Sequence, residues 1–193
     1  MFKNKLLENN YLIIDNFIDP VRADILYKSF KEDSQKYPQV FRHDEQCPKS
    51  LSLYDWRYFL ELLVEKTPFM TEIMEEPMLP TYSYARVYAN GETLKKHTDR
   101  FACEISVTLH LGSDGTDWEI FMTKPNGVAE SIILKPGQAV IYLGCISKHW
   151  RDEFKGEHYG QVFLHYVRSR GENWVCYFDK YKKQNDGEVL FTR

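Results

Sequence analysis

His97-Thr98-Asp99 places an imidazole and a carboxylate two residues apart. In extended backbone such residues project to the same side, roughly 7 Å apart along the chain. A ring nitrogen and a carboxylate oxygen can then close on one small cation. A second imidazole would complete two histidines and one carboxylate on one face of an octahedron. That ligand set suits ferrous iron and leaves three positions open for a bidentate co-substrate and dioxygen. H-x-D alone carries little weight, since about 0.4 occurrences are expected by chance in a chain of this composition. Its meaning depends on which other histidines the fold brings back. His149 stands just beyond the apolar run 139–143, 50 residues after Asp99, and His158 and His165 follow it.

The elements that must position these residues fall into two parts. In the first third, 11–18 (YLIIDNFI) reads as a strand. Asp19-Pro20 then supplies an N-cap and an N1 proline for a helix to about Lys36, with Ala23, Leu26, Tyr27 and Phe30 at helical spacing. A second helix is expected over 52–65, and a shorter third after Pro68. Beyond Pro77 and Pro80 the chain reads as short strands: 81–88, 105–111, 119–123, 131–134, 139–143, 161–167 and 174–178. Asn90-Gly91, Gly112 to Gly115, Pro125-Asn126-Gly127 and Pro136-Gly137 separate them. The pattern predicts a mainly β, α+β protein: a barrel-like or jelly-roll core over 80–180, with helices of 1–79 covering one outer face. No internal repeat or long linker divides the 193 residues, so one domain is expected.

Composition narrows the function. The hydrophobic fraction of 43% is ample for one core, and 25 Lys+Arg against 28 Asp+Glu leave a net charge of −3. That balance disfavours a nucleic-acid binder, which needs a basic excess. No apolar run approaches the roughly 20 residues of a membrane span. Glu8, Asn9, Asn10 and Asp15 interrupt any signal-peptide core at the start. Cys47, Cys103, Cys145 and Cys176 lack paired spacing, which fits reduced thiols and a cytoplasmic setting.

Five elements in order resemble the iron(II)/2-oxoglutarate-dependent dioxygenases, most closely their prolyl 4-hydroxylase-like branch. There a strand ending Tyr-x-x-Gly precedes H-x-D. Two strands follow, then a P-G-x-A/L-V/I-x-F/Y strand, a distal histidine, and G-x-R/K-Y opening the last core strand. Here these match Tyr88 to Gly91, His97 and Asp99, Ser106 to Leu111 with Glu119 to Met122, Pro136 to Tyr142, His149, and Gly156 to Tyr159. The resemblance spans about residues 80–168. It implies a double-stranded β-helix (the cupin-like jelly roll) with His97, Asp99 and His149 as iron ligands. It also implies Fe(II) and 2-oxoglutarate as cofactors, ascorbate as an accessory reductant, and hydroxylation of a C–H bond with release of succinate and carbon dioxide. A peptidyl or small amino-acid-like substrate is implied as well. Relatives that halogenate lack the carboxylate that Asp99 supplies.

One position departs from the family pattern. The arginine or lysine of G-x-R/K-Y, which grips the far carboxylate of 2-oxoglutarate, is His158 here. Strand parity groups His158 with Gly160, Val162 and Leu164, and small residues on that face suit a co-substrate pocket. Arg151, Gln161 and His165 are the alternative anchors. Tyr88 matches a family tyrosine that reaches the co-substrate, with Tyr82 and Tyr84 on the same parity, and His110 sits where relatives carry another polar contact. Arg100 is placed to clamp an acidic or amide group of the substrate, and Trp118 and Trp150 to line its cleft. The loops 41–51 and 112–118 are expected at the barrel mouth. Two rival readings remain: a cupin-like binding module without turnover, and a nucleobase demethylase, which the acidic charge disfavours.

Overall fold

The computed structural model describes residues 2–183 and 189–191. Helix α1 (Phe2–Asn9) precedes strand β1 (Tyr11–Ile14). Helix α2 (Pro20–Lys36) starts as expected: Asp19 is the N-cap, its carboxylate accepting from the Val21 N–H at 2.7 Å, with Pro20 at N1. The next segment differs from the sequence expectation. Residues 52–54, expected to open a helix, lie in strand β2 (Leu51–Tyr54), which pairs with β3 (Met78–Ala89) from Leu51↔Val87 to Tyr54↔Tyr84. Asp55, at φ 48°, turns the chain out of the sheet, and α3 begins only at Arg57.

Helix α3 (Arg57–Met74) runs through Pro68 without a break, so the expected second and third helices are one. A mid-helix proline costs about 3 kcal/mol, but six buried side chains (Phe59, Leu62, Leu63, Met70, Ile73, Met74) flank it. At roughly 1.5–3 kcal/mol each, they outweigh that cost.

The remaining strands are β4 (Leu94–His97), β5 (Ile105–Ser113), β6 (Ile120–Thr123), β7 (Ala129–Ile132), β8 (Ala139–Leu143), β9 (His149–Arg151), β10 (His158–Arg168), β11 (Tyr181–Lys183) and β12 (Val189–Phe191). Residues 174–178, expected as a strand, lie instead in a 3-10 stretch, Trp174–Asp179. Phe178 and Asp179 at positive φ (46° and 50°) turn the chain there, which no continuous strand accommodates.

A six-stranded sheet in the order β1-β8-β5-β10-β3-β2 faces a four-stranded sheet in the order β4-β9-β6-β7. Every pairing in both is antiparallel, the arrangement of a jelly roll. The first third therefore supplies the two edge strands of the large sheet as well as the helices. On the outer face of that sheet Ala85, Val107, Leu109, Ile141, Val162 and Leu164 join Phe30, Phe59, Leu62 and Ile73 of the helices in one core. Between the sheets a smaller core forms from Ile120, Met122, Ile132, Leu134, Val140 and Tyr142. It fills only part of the space; an aromatic cluster of Tyr88, Trp118, Phe154 and Tyr159 fills another part, and buried polar side chains such as Arg86, Ser106, His149, Arg151 and Gln161 share the interior.

Candidate metal centre and its cleft

His97 closes β4, His149 opens β9, and the two are register partners across the small sheet. Their rings stand 4.3 Å apart between centroids. Asp99 lies just past β4, its N–H donating to the Gly144 carbonyl at 2.8 Å. A Cβ on Gly144 would sit 2.1 Å from the Cys103 carbonyl and 2.7 Å from Asp99 Oδ2, so the close approach demands glycine. The His97 and His149 Nε2 atoms lie 3.6 and 3.5 Å from Asp99 Oδ1. One donor atom from each of the three residues falls within 4.8 Å of the others.

The surroundings fix which atoms converge. His97 Nδ1 bonds to the Lys95 carbonyl (2.7 Å) and His149 Nδ1 to the Ser147 carbonyl (3.0 Å). A carbonyl accepts only, so each Nδ1 carries the proton and each Nε2 presents a lone pair. Asp99 Oδ2 accepts from Ser106 Oγ at 3.0 Å, and Ser106 Oγ lies 2.9 Å from His165 Nδ1. Burial opposes the charge of Asp99, yet in the metal-free site hydrogen bonds from the protonated forms of His149 and His97, with the charge of His149, hold its carboxyl far below the usual range; a cation bound to the neutral rings would take the place of those protons. Burial pushes His165 down to about 4, so it is neutral and donates through Nδ1 to the serine.

Asp99, Cys103 and His165 form a second converging trio. Burial pushes the Cys103 thiol well up, and His165 Nδ1 is spent on Ser106. The first trio is the one whose lone pairs face a common point.

A cleft of about 1040 Å³ opens over this centre. Tyr82, Tyr84, Tyr142, Phe163 and His165 form its walls, and Val40, Arg42, His43, Asp44 and Gln46 its rim. The loop 41–51 is thus at the mouth as expected. Segment 112–118 is not: Gly112, Ser113, Gly115 and Asp117 line a separate surface hollow against α2.

Two expectations are corrected. His158 does not point between the sheets. Its parity partners Val162 and Leu164 belong to the helix-side core, and His158 Nδ1 sits 2.8 Å from the Tyr27 hydroxyl of α2. The small residues on that face serve the same helix, since a Cβ on Gly160 would lie 2.2 Å from the Tyr27 ring. Trp150 also faces away. Between inward His149 and Arg151 it stacks on Phe121 (5.1 Å, 10°) beneath the Lys96 ammonium.

The remaining candidates take varied places. Tyr88, fully buried, accepts from Arg86 Nη1 at 3.1 Å. Gln161 is inward, its Oε1 accepting from Arg151 Nη2 at 3.2 Å. His110 stacks on Tyr159 (4.1 Å), and burial with the nearby charge of Arg151 pushes it down to about 4. Arg100 stands at the cleft but forms a bidentate pair with Asp179 (2.8 and 3.0 Å) over the Tyr82 ring. Trp118 lies with Tyr88, Phe154 and Tyr159 in the closed end of the barrel, not the cleft.

Sequence reasoning missed Arg86, which lines the cleft and pairs with Asp44 of the rim loop. Asp44 also accepts a short bond from the Tyr84 hydroxyl. The signal was present: Arg86 shares the two-residue period of Tyr82, Tyr84 and Tyr88.

No family model matches this chain, and no curated protein matches it. Solved structures do. A Pseudomonas putida prolyl-4-hydroxylase superposes with a TM-score of 0.72 at 16% identity, covering 89% of this chain and 100% of that one. A Burkholderia pseudomallei oxidoreductase of the 2OG-Fe(II) oxygenase family gives 0.69 at 11%, covering 88% and 90%. HygX from Streptomyces hygroscopicus, solved with nickel, 2-oxoglutarate and hygromycin B bound, gives 0.68 at 9%, covering 86% of each chain. The fold of this chain is that of the 2OG-Fe(II) oxygenases, prolyl hydroxylases among them.

Proposed function

We propose that the chain is an iron(II)- and 2-oxoglutarate-dependent oxygenase that hydroxylates a C–H bond of a peptidyl or small amino-acid-like substrate. The convergence of His97 Nε2, His149 Nε2 and Asp99 Oδ1 at the base of a cleft carries the reading. Two imidazoles with lone pairs aimed together and one ionised carboxylate match the donor set ferrous iron prefers. The shared fold supports it, because neighbours of that fold hold nickel and 2-oxoglutarate or hydroxylate prolyl residues. With iron and 2-oxoglutarate bound, such a centre uses dioxygen to convert 2-oxoglutarate to succinate and carbon dioxide, placing the second oxygen atom in the substrate C–H bond.

The chain's own residues hold, orient and exclude. Two backbone carbonyls lock the histidine rings, and Ser106 holds the outer oxygen of Asp99, so each ligand is aimed before metal arrives. Aromatic side chains wall the space over the centre. Tyr88 and Gln161 lie buried beyond Arg86 of the cleft wall, where this reading puts the co-substrate, His110 lines the hollow against α2, and Arg42, His43 and Gln46 at the rim offer polar contacts to a substrate. At about 1040 Å³ the cleft suits a peptide segment or a bulky small molecule. Cysteines without paired spacing fit a reducing compartment such as the cytoplasm, and among the described residues no helix is long and apolar enough to cross a membrane.

The test is succinate formation from 2-oxoglutarate under Fe(II) and oxygen, with mass spectrometry of treated host lysate for products heavier by one oxygen atom. Wild type should turn over, and His97→Ala, Asp99→Ala and His149→Ala should each reduce turnover to background with the fold retained. Normal turnover in His149→Ala would overturn the assignment.

A further inference from the structure

Arg151 is 2% exposed and points inward from β9. Its Nη1 donates to the Trp118 carbonyl and its Nη2 to Gln161 Oε1. Its guanidinium lies against the faces of Trp118 (4.6 Å) and Tyr159 (5.1 Å). All of these partners are neutral, and no carboxylate among the described residues lies within ion-pair distance of it. A guanidinium does not give up its proton in a protein. Burying one without a counter-charge is costly, so the site is incomplete without an anion. Arg86, the other buried arginine, differs in this respect, because Asp44 neutralises it.

A second observation points the same way. Gln161 Nε2 is buried with no hydrogen-bond partner, although its Oε1 is engaged by Arg151. The amide is therefore oriented with its donor side free. The hydroxyl of Tyr88 accepts from Arg86, which leaves its own proton uncommitted among the described residues. Two donors without an acceptor, Gln161 Nε2 and the Tyr88 hydroxyl, thus share the closed end of the barrel with a guanidinium that has no counter-charge.

This end adjoins the cleft through Arg86. Gln161 is the register partner of Arg86, and Arg86 lines the cleft. Along β10, Gln161 is four residues from His165, which neighbours the metal centre, or about 13 Å of strand. That span accommodates a five-carbon dicarboxylate held at both ends.

We propose that Arg151, with Gln161 Nε2 beside it, anchors the far carboxylate of a dicarboxylic 2-oxo acid, an inference that rests on the oxygenase reading above. The positive charge expected on the last core strand has moved to the strand of the distal histidine. His158, left at the usual position, is taken up by Tyr27 on the other side of the sheet.

Binding to Mn(II)-loaded protein without oxygen tests this by calorimetry, with 2-oxoglutarate and 2-oxopentanoate as probes. The second probe keeps the 2-oxo acid and lacks the far carboxylate. Arg151→Met should weaken 2-oxoglutarate roughly 10- to 150-fold, as loss of a charge-assisted contact does. It should bind 2-oxopentanoate and Mn(II) as wild type does, and Arg151→Lys should fall between. His158→Ala should stay within about 2-fold of wild type for both acids.

Unchanged 2-oxoglutarate affinity in Arg151→Met, or the loss appearing in Arg86→Met instead, overturns the anchor. Equal loss of both acids in Arg151→Met and Arg151→Lys also overturns it, by showing that Arg151 shapes the pocket only. A wild-type protein that binds no metal, or binds metal but neither acid, overturns the oxygenase reading itself and the anchor with it.

Discussion

A metal ligand works only as well as the groups that aim it, and here the aiming residue easiest to isolate is Ser106. It donates to Asp99 Oδ2 and stands beside neutral His165, so Oδ1, the proposed ligand atom, is left free toward the two imidazoles. Ser106→Ala deletes one hydroxyl from a fully buried position without adding bulk. Losing such an outer partner typically costs roughly 10- to 100-fold in metal affinity. That loss is expected in Fe(II) or Mn(II) titrations while the melting temperature stays near wild type, and equal metal affinity would show that Asp99 needs no support. The proposed ligand trio is legible because H-x-D is local and the run ending before His149 is plainly a strand. Ser106 was not, since its role depends on β5 packing behind Asp99, a contact seven residues away that no periodicity encodes. Arg86 was legible in principle: four inward positions at spacing two, Tyr82, Tyr84, Arg86 and Tyr88, were read as three tyrosines.

The contact between α2 and the large sheet shows why strand parity led to the wrong face for His158. Alternation along β10 was read correctly, but it does not say which face is the interior. Small residues suggested a pocket, whereas Tyr27 of α2 fills that space and presses on Gly112 and Gly160. A methyl at Gly160 would overlap the ring at 2.2 Å. Overpacking of this kind costs about 1–3 kcal/mol, so Gly160→Ala should lower the melting temperature by several degrees. Removing the ring as well separates a clash from a backbone effect. In the double variant Gly160→Ala/Tyr27→Ala the loss should be clearly less than the sum of the single losses, because the two residues are in direct contact. Strict additivity would mean that helix and strand do not meet there. The same logic explains β2 and α3, where edge pairing with β3 and burial on the sheet overrode local helix and proline signals. Both are tertiary effects that a single sequence shows only as ambiguity.

At the scale of the molecule, the cleft exists because a long loop from the helical third is fastened over the β core. Asp44 is the principal fastening: its carboxylate takes Arg86 Nη2, the Tyr84 hydroxyl and the Cys47 N–H. A second tie joins the Lys49 N–H to Glu92. Partial burial raises the cost of ionising Asp44, but the Tyr84 hydrogen bond, the Arg86 charge and the Cys47 N–H outweigh it, and its carboxyl lies below the ordinary range. In the unfolded chain the same group is an ordinary carboxylate, so on acidification protons bind the unfolded state first. The stabilisation is therefore complete above the usual carboxylate pKa and drains away as pH falls through it toward the lower folded value. Comparing wild type with Asp44→Asn isolates this term from every other acid-sensitive group. Near neutral pH the variant should be less stable and bind any cleft-directed ligand more weakly, since its amide cannot balance the Arg86 charge. As the pH is lowered the gap in urea or thermal melts should narrow and close, while the Arg86–Tyr84 side of the cleft stays in place. A gap constant from pH 7 down through the carboxylate range would mean that Asp44 acts by shape and not by charge. The loop would then be held mainly by its edge pairing, Arg42 with Ser52, rather than by the clamp.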